Sequence, residues 1–299
     1  VPVAIIIATL LLAQAPVPTP ESRPVLQNTG KPMRLNYTCT DDEILAAGLS
    51  CTSEEPCPVY LELSAVEPLG AKVFAAGNLH TPTTTLASVL VASDDGGNTW
   101  HEPHDRIRSA VVDHIQFLDL ENGWASGQVL QTLPRDPFLL ITTDGGRTWR
   151  RRTVFSESRV GAIEAFWFED KSHGWMLIDR SRSGEQGSRY ELYESMTGGE
   201  NWMIREAGDR PLKLKRPVAA RNSDWRLRTD AATKSYRIER RQGEKWTPVA
   251  SFLVVAGSCK PSDRPVEEPK PPPEVEQPAA PPPPRTAPKT PPTLKKKTR

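Results

Sequence analysis

Ser93-Asp94-Asp95-Gly96-Gly97-Asn98-Thr99-Trp100 decides the fold, because the chain writes it more than once. It returns as Thr142-Thr143-Asp144-Gly145-Gly146-Arg147-Thr148-Trp149, and in a worn form as Ser195-Met196-Thr197-Gly198-Gly199-Glu200-Asn201-Trp202. A fourth copy keeps little more than Gly243 and Trp246. The turn tryptophans Trp100, Trp149, Trp202 and Trp246 are spaced 49, 53 and 44 residues apart. A second series, Phe74, Trp124, Trp175 and Trp225, is spaced 50, 51 and 50. Two independent series at one period make a repeat of about 50 residues, present four times.

The second repeat is the easiest to read. Ile115 and Phe117 alternate with polar neighbours, as in a half-buried strand. Asp119-Leu120-Glu121-Asn122-Gly123 is turn chemistry. Trp124-Ala125-Ser126-Gly127 begins a second strand, and residues 138–142 form an apolar third. Asp144-Gly145-Gly146 is a hairpin turn whose glycines accept positive φ, and Thr148-Trp149-Arg150-Arg151 begins a fourth strand. Four short antiparallel strands per repeat describe a propeller blade. The first repeat reads as strands near 59–63, 72–77 and 86–92, with a loop over 78–85.

The S-x-D-x-G-x-T-W stretch resembles the Asp-box, or BNR, motif. Over residues 60–256 the chain is similar to secreted Asp-box β-propellers related to photosystem II assembly factors, in which an F-x-D-x-x-x-G-W-x-x-G stretch precedes each box. Sialidases carry the same box. The resemblance implies an all-β propeller of about four four-stranded blades. It implies an activity far less securely. In the fourth repeat Glu239 and Arg241 stand where the Ser and Asp belong.

Local chemistry explains the box. A tight turn leaves backbone N–H groups without ladder partners, and short carboxylates or hydroxyls accept from them. Ser93, Asp95, Thr142, Asp144 and Ser195 suit that task, with Thr99 and Thr148 beside them. Gly97, Gly146 and Gly199 let the backbone fold back. Trp100, Trp149 and Trp202 provide apolar area between sheets. The expected role of these residues is structural rather than catalytic or metal-binding.

The domain boundaries are expected at 1–15, 16–58, 59–259 and 260–299. Residues 1–15 carry an apolar run and Ala13-Gln14-Ala15, which read as a secretory signal peptide; the alternative is an uncleaved N-terminal anchor. The apolar run is too short for an ordinary transmembrane helix. Residues 16–58 are a linker and cysteine-containing segment. Fourteen of residues 260–299 are proline, so that stretch cannot bury a core and reads as a disordered, extended tail. Its basic end suits an anionic surface. Four cysteines behind a signal-like start point to two disulfides, with three possible pairings. Cys57 precedes the strand 59–63 and Cys259 follows an expected strand over 251–255. If these strands are antiparallel neighbours, Cys57–Cys259 ties the first blade to the last and leaves Cys39–Cys51. The array is then a small ring. The alternatives are a further sheet hidden in degenerate segments or an open array completed by a partner.

Binding is expected on loops of one propeller face, over 78–85, 133–137 and 181–189. His80, Arg135, Asp136, Arg182 and Arg189 are the candidates, with Phe166 or Trp167 as an exposed anchor. No metal or cofactor site is legible; His101, His104 and Asp105 read as solvated loop residues. The net charge is +1, so no global field attracts a polyanion, and nucleic acid is disfavoured. These readings converge on an exported, non-catalytic module that binds a protein or glycan at the cell envelope. The alternative is a sialidase-like glycoside hydrolase. That needs an arginine trio, a tyrosine–glutamate pair and an acidic residue, and Tyr190-Glu191 are adjacent, so in a strand they face opposite sides.

Overall fold

Each repeat folds into one antiparallel sheet. The computed structural model describes residues 24–131, 133–180, 187–214 and 224–262. The signal-like segment, the tail beyond 262 and Arg182 lie outside them. β1 (Leu26–Gln27), β2 (Tyr37–Thr38) and a short helix α1 (Asp41–Ala46) come first. Blade 1 uses β3 (Cys57–Leu69), β4 (Lys72–His80) and β5 (Thr85–Ser93), while β6 (Thr99–Trp100) pairs with β1. Blade 2 is β7 (Ala110–Phe117), β8 (Gly123–Leu130), β9 (Pro134–Thr142) and β10 (Arg150–Thr153). Blade 3 is β11 (Ala162–Phe168), β12 (Gly174–Asp179), β13 (Tyr190–Ser195) and β14 (Met203–Gly208). Blade 4 has three strands, β15 (Trp225–Asp230), β16 (Ser235–Gln242) and β17 (Lys245–Leu253). The last strand, β18 (Val255–Cys259), leaves blade 4 and joins blade 1 in the order β2-β18-β3-β4-β5.

The core is divided among the seams between blades. Side chains of a strand alternate between its two faces, and here the two faces feed different cores. In β4, Val73 and Ala75 pack toward blade 4 and the N-terminal segment, while Phe74 and Ala76 pack toward blade 2. In β9, Phe138 and Leu140 belong to the blade 1–blade 2 seam, and Leu139 and Ile141 to the blade 2–blade 3 seam. Continuous apolar runs are what a strand buried on both faces requires.

Two loop expectations shrink. β4 continues to His80 and β5 resumes at Thr85, so only residues 81–84 turn. The 133–137 segment is mostly strand, because a register shift after Gly127 carries pairing on to Leu130 opposite Pro134. Proline is tolerated as the first residue of a strand, and Asp136 takes φ of 50°.

Among the described residues, blade 3 is packed by an apolar cluster on one face. Phe166, Phe168, Met176 and Ile178 fill the seam with blade 2. On its other face Trp167 and Trp175 are cross-strand partners, both half-buried, in a row that continues through Glu194 to the exposed Met203. The Trp167 indole Nε1 has no partner among the described residues. The expected small ring is therefore tied at blade 1 by β18, but among the described residues no apolar cluster joins blade 3 to blade 4. The reason lies in blade 4. Leu227, Ile238 and Ala250 share the face turned to blade 1. The opposite face carries Arg226, Arg228, Arg237 and Glu239 instead of an apolar set.

The cysteine pairing differs from the geometric expectation. β18 is antiparallel to β3, with Cys259 opposite Cys57, yet the disulfides are Cys39–Cys259 and Cys51–Cys57. β2 adds in parallel to the other side of β18 and carries Cys39 next to Cys259. Cys57 then closes the short loop to Cys51.

One tether recurs at the seams. Gln116 Nε2 donates to the Phe168 carbonyl at 2.8 Å, and Phe168 N–H donates back to Gln116 Oε1 at 2.9 Å. Glu67 holds the matching place in blade 1 and accepts from Phe117 N–H. Burial pushes the Glu67 carboxyl up to about 7, although the Phe117 bond acts against the rise. A folded-state value above the unfolded one means the folded state holds the proton longer, so stability falls as pH rises from 4.5 to about 7 and stays low above it. Glu67→Gln should therefore stabilise the protein at pH 8 by about 2 kcal/mol and change little at pH 4. Urea denaturation at the two pH values checks this; equal effects at both would remove the tether argument. Removing the long-range disulfide with Cys39→Ala and Cys259→Ala should cost about 2–5 kcal/mol in the same assay.

Candidate functional site

The inner strands of blades 1, 2 and 3 each break register once, around Ser64 in β3, Asp113 in β7 and Glu164 in β11. A bulge re-aims a side chain that the regular pleat would point elsewhere. Ser64 Oγ donates to the carbonyls of Ala76 and Val112, at 3.3 and 3.1 Å, and so links blade 1 to blade 2. The Asp113 carboxylate accepts from Gln128 Nε2 at 2.6 Å. Gln128 Oε1 in turn accepts from Ile163 N–H of blade 3 at 3.4 Å.

These residues open onto a cavity of about 390 Å³ at one end of the blade 1–blade 2 seam, lined by Glu62, Asn78, His80, Asp113, Gln128 and the Thr81–Thr85 turn. Asn78 is only 6% exposed, and its side-chain amide has no hydrogen-bond partner among the described residues. His80 Nδ1 lies 2.9 Å from the Thr81 carbonyl, and the Thr81 hydroxyl accepts from the N–H groups of Thr83 and Thr84. Burial raises the Asp113 carboxyl above the usual range; the Gln128 bond opposes this and the nearby Glu62 charge adds to it.

Of the expected binding residues, His80 lines this cavity. Arg135 and Asp136 do not. Arg135 donates to Ser158 Oγ at 2.6 Å, and Asp136 Oδ1 accepts from Ser158 Oγ and Arg159 N–H. Arg189 bonds Asp179 and lies over the Tyr190 ring. Phe166 is buried in the blade 2–blade 3 seam and Trp167 faces the other way.

The boxes lie elsewhere and are occupied with their own turns. Asp95 Oδ1 accepts from the N–H groups of Asn98 and Thr99, and Oδ2 from the Thr99 hydroxyl at 2.7 Å. Bonds led by that from Thr99 N–H hold its carboxyl down at about 2. Asp144 repeats the pattern with Thr148. Ser93, Thr142 and Ser195 accept from the N–H of Gly97, Gly146 and Gly199. The boxes also dock each blade on the one before. A Cβ on Gly97 would stand 2.4 Å from Val249 of blade 4, and one on Gly146 2.4 Å from the Phe74 ring of blade 1. Gly243, in the worn fourth copy, has open space.

A second polar group is buried in blade 3. Tyr193 donates to Glu191 Oε2 at 2.6 Å, and Arg180 Nη1 donates to Glu191 Oε1 at 2.9 Å. Arg159 Nη2 stands 3.7 Å away. The sequence offered Tyr190 as the tyrosine next to Glu191; the strand alternation makes it Tyr193. All three central residues are over 90% buried. Burial, then the Glu191 hydrogen bond and charge, drive the Tyr193 phenol upward, the opposite of what a nucleophilic phenolate needs.

No family model and no curated protein matches the chain. Among solved structures it is similar to the GH74 xyloglucanase from Xanthomonas campestris, at 13% identity over 62% of this chain and 28% of that one, with a TM-score of 0.34. It is also similar to YCF48 bound to D1 peptide, at 16% identity over 66% and 54% of the two chains, with a TM-score of 0.35. For Penicillium chrysogenum alpha-L-arabinanase complexed with arabinobiose the figures are 13%, 75%, 66% and 0.34. The chain is a β-propeller protein. It spans less than two-thirds of the length of each of these neighbours. At these scores the likeness carries no argument about ligand or reaction.

Arg180→Met tests the buried group. Leaving Glu191 without its main cation should cost about 3–5 kcal/mol of stability, read by urea denaturation. An unchanged midpoint would show that the pair is solvated.

Proposed function

We propose that this chain is an exported, non-catalytic binding module of the cell envelope, with its ligand, a protein segment or a glycan, seated in the cavity between blades 1 and 2. The carrying observation is the state of the cavity's polar groups. Asn78, Thr81 and Gln128 are almost wholly buried, and Asp113 is fixed by Gln128, which is itself tied to blade 3. Preorganised groups of this kind lose little freedom on binding, and the unpartnered Asn78 amide is available to a ligand. Two disulfides favour an oxidising compartment.

A glycoside hydrolase is the second reading, favoured by two carboxylates, Glu62 and Asp113, in one cavity. A photo-cross-linker placed at Thr83, on the cavity rim, should capture ligand from envelope material, and one placed at Met203 on blade 3 should not. Equal capture at both positions would move recognition off the cavity. Turnover of a panel of aryl glycosides that is abolished by Asp113→Asn would replace binding with hydrolysis.

A further inference from the structure

We infer that the cavity between blades 1 and 2 takes a cation, and that the cation is the lysine or arginine side chain of a partner polypeptide. This rests on the binding reading above and names its ligand class.

Two carboxylates buried in blades 3 and 4 are matched with the chain's own arginines. Glu191, at 6% exposure, has Arg180 at 2.9 Å. Glu239, at 4%, has Arg226 at 2.6 Å. Glu194 is held by Arg205 and His173. In the cavity the pattern breaks. Glu62 and Asp113 share one space, and among the described residues no lysine or arginine lines it. Glu62 acts on Asp113 as a like charge. His80 is the one basic side chain in the lining among the described residues, and its Nδ1 faces the Thr81 carbonyl. A carboxylate pair without a counter-charge in a partly desolvated site gains when a cation enters, since charge-assisted hydrogen bonds are the strong ones.

The second observation is Asn78. The residue is 6% exposed, and its amide opens onto the same space. Its carbonyl can accept from an ammonium or guanidinium that also reaches the two carboxylates. The Thr81–Thr85 turn adds carbonyls and hydroxyls at the rim. A basic side chain fits better than a sugar. Among the described residues no tryptophan, tyrosine or phenylalanine lines the cavity, so an apolar sugar face finds no aromatic platform there. A slim chain with a charged head needs none.

The test uses the full chain and four probes followed by amide NMR: the capped peptide Gly-Ser-Lys-Ser-Gly, its arginine counterpart, its Nε-acetyl-lysine counterpart, and chitotetraose. The lysine and arginine peptides should shift Asn78, Asp113 and Gln128. Acetylation should weaken binding by about tenfold or more, as should Glu62→Gln or Asp113→Asn. Glu62 is exposed, so its variant keeps the test valid if Asp113→Asn unfolds. Equal binding of the acetylated peptide would overturn the cation. Chitotetraose shifting the cavity residues while the peptides do not would also overturn it and leave the binding reading standing. No shift at these residues with any probe would bring down both.

Discussion

A β-sheet has two faces, and a strand rich in apolar residues is stable only when both are dry. That constraint organises this molecule. Blades 1 and 2 satisfy it because each lies between two others, and successive residues of β4 and β9 enter different cores. The seams are then pinned by polar devices. Gln116 imitates a strand backbone toward Phe168, and the glycines of the first three boxes allow the turn to press on the preceding blade. Because an unmade buried hydrogen bond is costly, these tethers fix the register of blade on blade as well as adding attraction.

The cavity follows from the same construction. It opens beside two bulged inner strands at the end of the seam, and Ser64 and Gln128 bond across from blade to blade there. A site built on such walls is stiff, and specificity then comes from which polar groups remain unsatisfied. Blade 4 shows the contrast. Its face away from blade 1 is arginine-rich, its box is worn, and its contribution is to cover blade 1 and to send β18 into the neighbouring sheet.

The repeat, the turns and the sheet class were legible because they depend on residues close in sequence. Asp95 answers to Asn98 and Thr99, a few positions away. The cysteine pairing was not legible, since it depends on β2 meeting β18 across most of the chain. Nor was the cavity. Asn78 and His80 fall in the expected 78–85 loop, whereas Glu62, Asp113 and Gln128 stand at polar positions of strands. One local signal did exist: Asp113-His114 interrupts the alternation of β7, and such an interruption marks a bulge. Glu67 and Gln116 carried another, as polar residues at matching places of two repeats in otherwise apolar strands.

Among the described residues three apolar seams, and not four, hold the array together. Native-state hydrogen exchange resolved by residue tests this most directly, because protection reports local opening free energy. The account predicts the slowest exchange in β4, β5, β8 and β9, which are covered on both faces, and faster exchange in β14 and β15. Protection of β14 and β15 equal to that of β8 and β9 would mean that blades 3 and 4 share a packed seam, and would contradict it.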